Sequence, residues 1–385
     1  MPKAMVLAGG GARGSYHIGA WQALIEMGYR PDIVTGTSVG SLNGTLVALD
    51  WFDVAKSMWL TIDDRNVMEV PHKLFSRETL EFAKDFATKG GISLEPLEEM
   101  ITRFVDEDKL RASKCRYGLV TVNINTLTPM ELTLEEIPQG KLVDYMLASS
   151  ACFPLLRART IDGQKYIDGG YHDNLPSTLA AKMGADEIVE IDLDSIGVTR
   201  PLPKEYENIK VTQVKSWHDL GGFLDFNPQT ARRNIELGYL DTYKAFGKLE
   251  GKRYAFRTGE TQRMYSLFGK RFVQLCHQLC ETHSAMHIAD EVFIRTQYHN
   301  PKTEEERFVA LLEGAMEAAD IPHTEVYTAD NLPQLILSAP QVISDADMHR
   351  LLQDNPLSKV LSLVEASDIR RVYLALLQTL LKKTD

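Results

Sequence analysis

Several features are scarce in this 385-residue chain, and each absence narrows its function. No apolar run approaches the ~20 residues that a membrane-spanning helix needs, so any lipid contact is expected to be peripheral. The first apolar stretch, Ala4-Met5-Val6-Leu7-Ala8, runs straight into glycines. It is too short for the core of a secretory signal and reads as a first strand. The four cysteines, Cys115, Cys152, Cys276 and Cys280, show no spaced disulfide framework. That fits a reducing interior, and the expected setting is cytoplasmic with transient contact to a membrane surface. Basic charge is also short. The net charge is −11, and residues 1–195 hold 19 Lys and Arg against 28 Asp and Glu, so the acid is concentrated there. A nucleic-acid binder would show a basic stripe, and purely electrostatic docking on anionic lipid would need the opposite sign. No EF-hand loop and no Gly-Lys-Ser/Thr phosphate loop occurs, so neither calcium nor a nucleotide is expected.

What is present begins with alternation of strand and helix. Lys3–Ala8 reads as a buried strand, followed by Gly9-Gly10-Gly11-Ala12-Arg13-Gly14 and a helix with Ile18, Trp21, Leu24 and Ile25 at helical spacing. Asp32–Thr35 is a second strand, then a sharp turn and another helix. This order predicts an α/β fold, a three-layer α/β/α domain on a mostly parallel central sheet. Residues 51–115 read as mostly helical. Extended segments come next at Arg116–Asn125 and Met130–Leu134, then a helix over Lys141–Ala151. Arg159–Ile161 and Lys165–Ile167 form a predicted hairpin, and Glu187–Leu193 and Ile209–Val214 are further strands. Beyond that the pattern is helical, over 229–249, 262–298, 303–319 and 356–382. The expected division is a catalytic α/β domain over 1–250 and a mainly helical region over 251–385.

The chemistry centres on Gly36-Thr37-Ser38-Val39-Gly40, between a strand and a helix. This is the Gly-x-Ser-x-Gly form of a nucleophile elbow, where glycines flank the serine because a side chain there would collide with the adjoining strand or helix. A serine hydroxyl is too weak an acid to act without a base. His17 and His172 are candidates, and so is Asp168 in Asp168-Gly169-Gly170, whose basicity burial would raise. The run Gly9–Gly14 fits G-x-G-x-x-G, but the second strand ends in Thr35-Gly36-Thr37-Ser38 with no carboxylate to hold a ribose. Its other reading is an oxyanion hole of unobstructed backbone amides, with Arg13 adding positive charge nearby.

Taken together and in this order, Gly-Gly-Gly-Ala-Arg-Gly, Gly-Thr-Ser-Val-Gly and Asp-Gly-Gly resemble the patatin-like phospholipase family. So do the flanks His17-Ile18-Gly19, Ala148-Ser149-Ser150-Ala151-Cys152-Phe153-Pro154 and Asn174-Leu175-Pro176. Asp225-Phe226 and Gly238-Tyr239 are similar to the downstream residues of bacterial members, so the resemblance covers about residues 1–250. It implies a serine–aspartate dyad of Ser38 and Asp168 and an oxyanion hole of Gly9, Gly10 and Gly11. Arg13, Gly14, Gly36, Gly40, Gly169 and Gly170 would support it. The implied activity is hydrolysis of an acyl ester in a phospholipid or other lipid, through an acyl-enzyme, with no cofactor and no metal. Two alternatives share the motifs: an acyltransferase using the same dyad, and a lipid-binding regulator without turnover. Cys276, Cys280, His283 and His287 share one helical face, but four ligands strung along ~16 Å of straight helix cannot close on one ion. No metal is expected there.

Overall fold

The computed structural model describes residues 1–68, 90–282, 284–298, 301–341, 343 and 368–382. The chain divides into two compact units, residues 1–246 and 247–385, each with its own buried apolar core.

In the first unit, β1 (Lys3–Leu7) lies at the centre of an eight-stranded sheet. Its neighbours β2 (Ile33–Thr37) and β7 (Glu187–Asp192) both run parallel to it. Ala4 to Ala8 are wholly buried. A strand covered on both faces needs apolar residues on both, which is why this stretch is a continuous apolar run and not an alternating one. Outward from β7 lies β8 (Lys210–Lys215), and outward from β2 lies β3 (Arg116–Asn123). β4 (Thr128–Thr133), β5 (Arg159–Ile161) and β6 (Gln164–Asp168) join antiparallel at the β3 end, so the sheet is mixed and mostly parallel. Helices cover both faces. Tyr117 points its hydroxyl at the Ser41 carbonyl of α2 (Val39–Ala48), 2.9 Å away. A side chain at the next residue, Gly118, would instead meet Leu179 and Met183 of the segment after Pro176. Successive strand residues face opposite ways, so these two helical segments lie on opposite faces.

One feature of β3 places the site. β4 runs along one edge of β3 from Gly118 to Asn123. The other edge is shared end to end: β2 pairs with Arg116–Val120, and β6 pairs with Thr121–Asn123. β2 is parallel to β3 and β6 antiparallel, so the two strands run toward each other and their C-terminal ends meet. Thr37 sits opposite Val120, and Asp168 sits opposite the next residue, Thr121. The residue after β2 is Ser38.

The α/β class and sheet match the sequence reading, while several boundaries differ. β3 stops at Asn123 because that side chain accepts from the Asn125 and Thr126 amides and turns the chain. The helix expected over 229–249 spans Pro228–Ala245 and is followed by Gly247 at φ 65°, a left-handed helix stop. The second unit is mainly helical but carries a small sheet of Leu249–Glu250, Ala255–Arg257 and Val326–Tyr327, strands too short to show a period. The helix expected over 262–298 is interrupted by a π-turn at Tyr265–Gly269, where Gly269 packs on the Phe308 ring. Of the helix expected over 356–382, Ile369–Leu381 is described. Residues 69–89 and His283 lie outside the described residues. Cys276 and Cys280 are buried in the second unit, and no group of metal-ligating side chains is found among the described residues. No helix among them is long and apolar enough to cross a membrane.

Candidate active site

Ser38 occupies the corner between β2 and α2 with φ 54° and ψ −128°, a conformation that non-glycine residues rarely hold and that needs surrounding support. Glycines supply it. A Cβ on Gly36 would lie 2.3 Å from the Gly40 carbonyl carbon, and one on Gly40 would lie 2.1 Å from the Leu7 carbonyl oxygen of β1. Hydrogen bonds supply the rest. The Ser38 carbonyl accepts from the Ser41 amide and hydroxyl at 2.8 and 2.7 Å. The Ser38 amide donates to Ser149 Oγ at 2.9 Å, and that hydroxyl donates on to the Val120 carbonyl at 2.7 Å.

Asp168, delivered head-on by β6, faces the Ser38 hydroxyl. Its amide donates to the Ala151 carbonyl at 2.9 Å, and its Oδ1 accepts the Gly170 amide at 2.7 Å. Gly169 lets this turn press on β3, since a Cβ there would meet the Val120 carbonyl oxygen at 2.2 Å. Both side chains are buried, Ser38 at 9% and Asp168 at 7% exposure. Burial pushes the Asp168 carboxyl up to about 6, against the pull of the Gly170 amide and the Ser38 hydroxyl. The carboxylate thus remains mostly ionised at neutral pH while being a stronger base than an exposed one.

The glycine run follows the C-terminal end of β1, at the point where the sheet's connections diverge to β2 and β7, where open α/β sheets place their ligands. The three amides differ. Gly9 donates to the Asn174 carbonyl at 3.0 Å, so its amide is already committed. The amides of Gly10 and Gly11 have no acceptor among the described residues. Gly11 sits at φ 56° with the Phe223 carbonyl 2.0 Å from where its Cβ would be, and Gly14 packs on Val39 of the elbow helix. Among the described residues Arg13 pairs with no carboxylate, and its guanidinium donates to the carbonyls of Gly221 and Asp194, each at 2.8 Å. It ties the loops after β7 and β8 to the glycine run while still lining the cavity.

The histidines are placed elsewhere. His17 is buried against Asn43, its Nδ1 3.2 Å from Nδ2, and burial pulls the ring down to about 3, so it stays neutral. His172 faces Glu131 at 3.3 Å.

Ser38, Asp168, Gly10, Gly11, Arg13 and Gly170 all line one cavity of about 480 Å³. Away from them its wall is apolar, with Leu42, Leu46, Trp59, Leu97, Ile101 and Phe104 among the lining side chains. Every lining residue belongs to the first unit.

With this geometry in place, likeness to known proteins becomes informative. The family model described as patatin-like phospholipase matches residues 5–181. This N-terminal stretch belongs to the patatin-like phospholipase family. Relatives of the patatin-like stretch include patatin-like phospholipase domain-containing protein 6 of Mus musculus, 31% identical over 211 residues. That alignment covers 50% of this chain and 13% of the mouse protein. Lysophospholipase NTE1 of Mycosarcoma maydis is 30% identical over 209 residues, covering 51% of this chain and 10% of that protein. The chain thus spans only about a tenth to an eighth of the length of these relatives. The solved structure of VipD from Legionella pneumophila aligns over 98% of this chain and 91% of its own, at 13% identity and a TM-score of 0.40.

Two residues of the patatin-like site escaped the sequence reading although they stood in its flanking motifs. Ser149 relays the Ser38 amide to β3, and Asn174 grips Gly9 from both sides, accepting its amide and donating Nδ2 to its carbonyl at 3.2 Å. A buried serine and asparagine look like ordinary polar fillers until their partners are known. Ser149→Ala, at a wholly buried side chain, leaves the Ser38 amide without its partner. It is expected to lower unfolding free energy by about 1–3 kcal/mol in a urea titration, and Ser149→Thr to restore most of it.

Proposed function

We propose that the chain is a serine lipid acyl hydrolase, cleaving carboxylic esters of phospholipids or lysophospholipids through Ser38 and Asp168. The observation that carries this reading is the meeting of Ser38 with the buried Asp168 carboxylate, brought together by β2 and β6 ending against consecutive residues of β3, on the wall of an apolar cavity. In the first step Ser38 Oγ attacks the acyl carbonyl carbon while its proton passes to Asp168. The developing oxyanion is met by the Gly10 and Gly11 amides; Gly9, its own amide taken by Asn174, fixes the loop. Collapse breaks the ester bond, and the alcohol leaves with the proton from Asp168. Water then attacks the acyl-enzyme, giving a proton to Asp168, and Ser38 recovers it as the fatty acid departs. The cavity size is typical of a small-molecule site, and its apolar wall suits the acyl chain.

The test is a mass-resolved lipid panel incubated with wild type and Ser38→Ala. Wild type is expected to release free fatty acid from at least one phospholipid or lysophospholipid, and Ser38→Ala to release none above background. Fatty-acid release that survives Ser38→Ala would end this reading. Transfer of the acyl group to an added alcohol in preference to water would move the chain to the acyltransferase class.

A further inference from the structure

Three exposed apolar side chains of the first unit stand together. Tyr171, Ile196 and Val198 are 50%, 98% and 46% exposed, and all three also line the cavity that holds Ser38 and Asp168. Residues that both face solvent and line a cavity stand at its mouth. A lone exposed isoleucine is ordinary, but an apolar lip continuous with an apolar cavity marks a surface that meets another apolar phase. The lip is held in place. Ile196 lies on the chain after β7, where the Asp194 carbonyl accepts from Arg13 at 2.8 Å. The Val198 amide donates to the Gly170 carbonyl at 2.9 Å, and the Val198 carbonyl accepts the Asn174 amide at 2.6 Å. The Tyr171 hydroxyl donates to the Phe153 carbonyl. The backbone is thus pinned on both sides of Ile196, against the turn that follows Asp168, and the side chain between the pins stands out in water.

Charge decides what this lip can meet. Among the described residues Arg13 is the only basic one lining the cavity, and its guanidinium donates to two backbone carbonyls. Asp194 beside the lip is paired with Lys215 at 2.7 Å, and Arg200 turns its Nε onto the His172 carbonyl at 2.9 Å. Residues 1–195 carry 28 Asp and Glu against 19 Lys and Arg. Docking on an anionic leaflet needs clustered Lys and Arg, and an acidic surface is repelled by one. We propose that Tyr171, Ile196 and Val198 insert into an electrically neutral lipid surface, one of zwitterionic phospholipid, and open the cavity directly onto it. This deepens the hydrolase reading and rests on it in one respect: the lipid that enters is the substrate of Ser38. Its acyl chain passes from the surface to the cavity along a continuous apolar wall and is never exposed to water on the way. So few inserted side chains give a shallow and reversible attachment.

The test is co-sedimentation of the full chain with phosphatidylcholine vesicles, in a Ser38→Ala background so that no lipid is consumed. Binding is expected, unchanged by salt at about 0.5 M. At low salt it should weaken when about a third of the lipid is replaced by phosphatidylserine. Ile196→Ser is expected to lower the vesicle partition coefficient about 10-fold. Ile196→Trp should retain binding, with blue-shifted emission that brominated lipid quenches. Both substitutions fall on an almost wholly exposed side chain, so the core is untouched. Leu127→Ser is the control, an apolar residue 78% exposed that does not line the cavity, and it should bind as the parent does. Equal binding by Ile196→Ser, or binding that requires phosphatidylserine and is lost in salt, would overturn the proposal. No vesicle binding at all would overturn it too, and leave the lip to a protein partner. Fatty-acid release is read separately with Ser38 intact. Vesicle binding through Ile196 without release supports the lip and faults the hydrolase reading; release without vesicle binding does the reverse.

Discussion

Asp168→Asn is expected to lower kcat for an ester substrate by about 10³–10⁴-fold with KM nearly unchanged, while leaving the protein as stable or more so at neutral pH. The variant keeps the shape of the side chain and an oxygen for the Gly170 amide, but it cannot take the proton from Ser38. No neighbouring histidine can substitute, since His17 is held neutral against Asn43 and His172 faces Glu131. The stability change comes from the carboxyl's burial. Its folded value stands at about 6 against an ordinary 3.8, so between those values the folded protein binds more protons than the unfolded chain. Stability therefore falls as pH rises through that window, by on the order of 3 kcal/mol, and stays lower above it. Activity runs the other way, because the ionised form is the base, and should rise through pH 6 in wild type. Melting curves at pH 4 and pH 8 would show the variant gaining on wild type as pH rises. Full turnover in Asp168→Asn, with loss in His172→Ala, would make this a serine–histidine enzyme.

That opposition between stability and activity explains which parts of the site the sequence displayed. Glycines and the elbow were legible because backbone collisions leave no alternative residue. Gly40 lies against the Leu7 carbonyl and Gly169 against that of Val120, and such demands mark a sequence whatever its function. The strand–helix alternation was legible because buried parallel strands such as β1 need unbroken apolar runs. The meeting of Ser38 with Asp168 was not derivable from local pattern. It depends on β2 and β6 ending against consecutive residues of β3, a register that only the assembled sheet defines. The anchoring of Arg13 was hidden for a related reason, since its acceptors are carbonyls of loops 181 and 208 residues away. The short strands of the second unit were missed because two or three residues cannot display an alternation.

Gly19→Ala is expected to destabilise the first unit by about 3 kcal/mol or more, although alanine is the better helix former by about 1 kcal/mol. α1 (Ser15–Glu26) crosses the helix Pro228–Ala245 backbone to backbone. A Cβ on Gly19 would lie 1.7 Å from the Ile235 carbonyl oxygen, and one on Gly238 would lie 2.1 Å from that of Tyr16. Neither neighbour is the end of a flexible side chain, so relief requires one whole helix to move. Tyr16 resists that movement, being fully buried with its hydroxyl on Asp241 at 2.8 Å. α1 also continues directly from the glycine run, so its displacement carries Gly10 and Gly11 with it, and activity should fall along with stability. Gly222→Ala serves as the control: the backbone there is open, its nearest contact being 3.4 Å away, and its cost should stay within about 0.5 kcal/mol. Urea unfolding of the two variants measures the difference. Equal stabilities would mean that the two helices separate at little cost, and that Gly19 and Gly238 have no role in holding the loop beside Ser38.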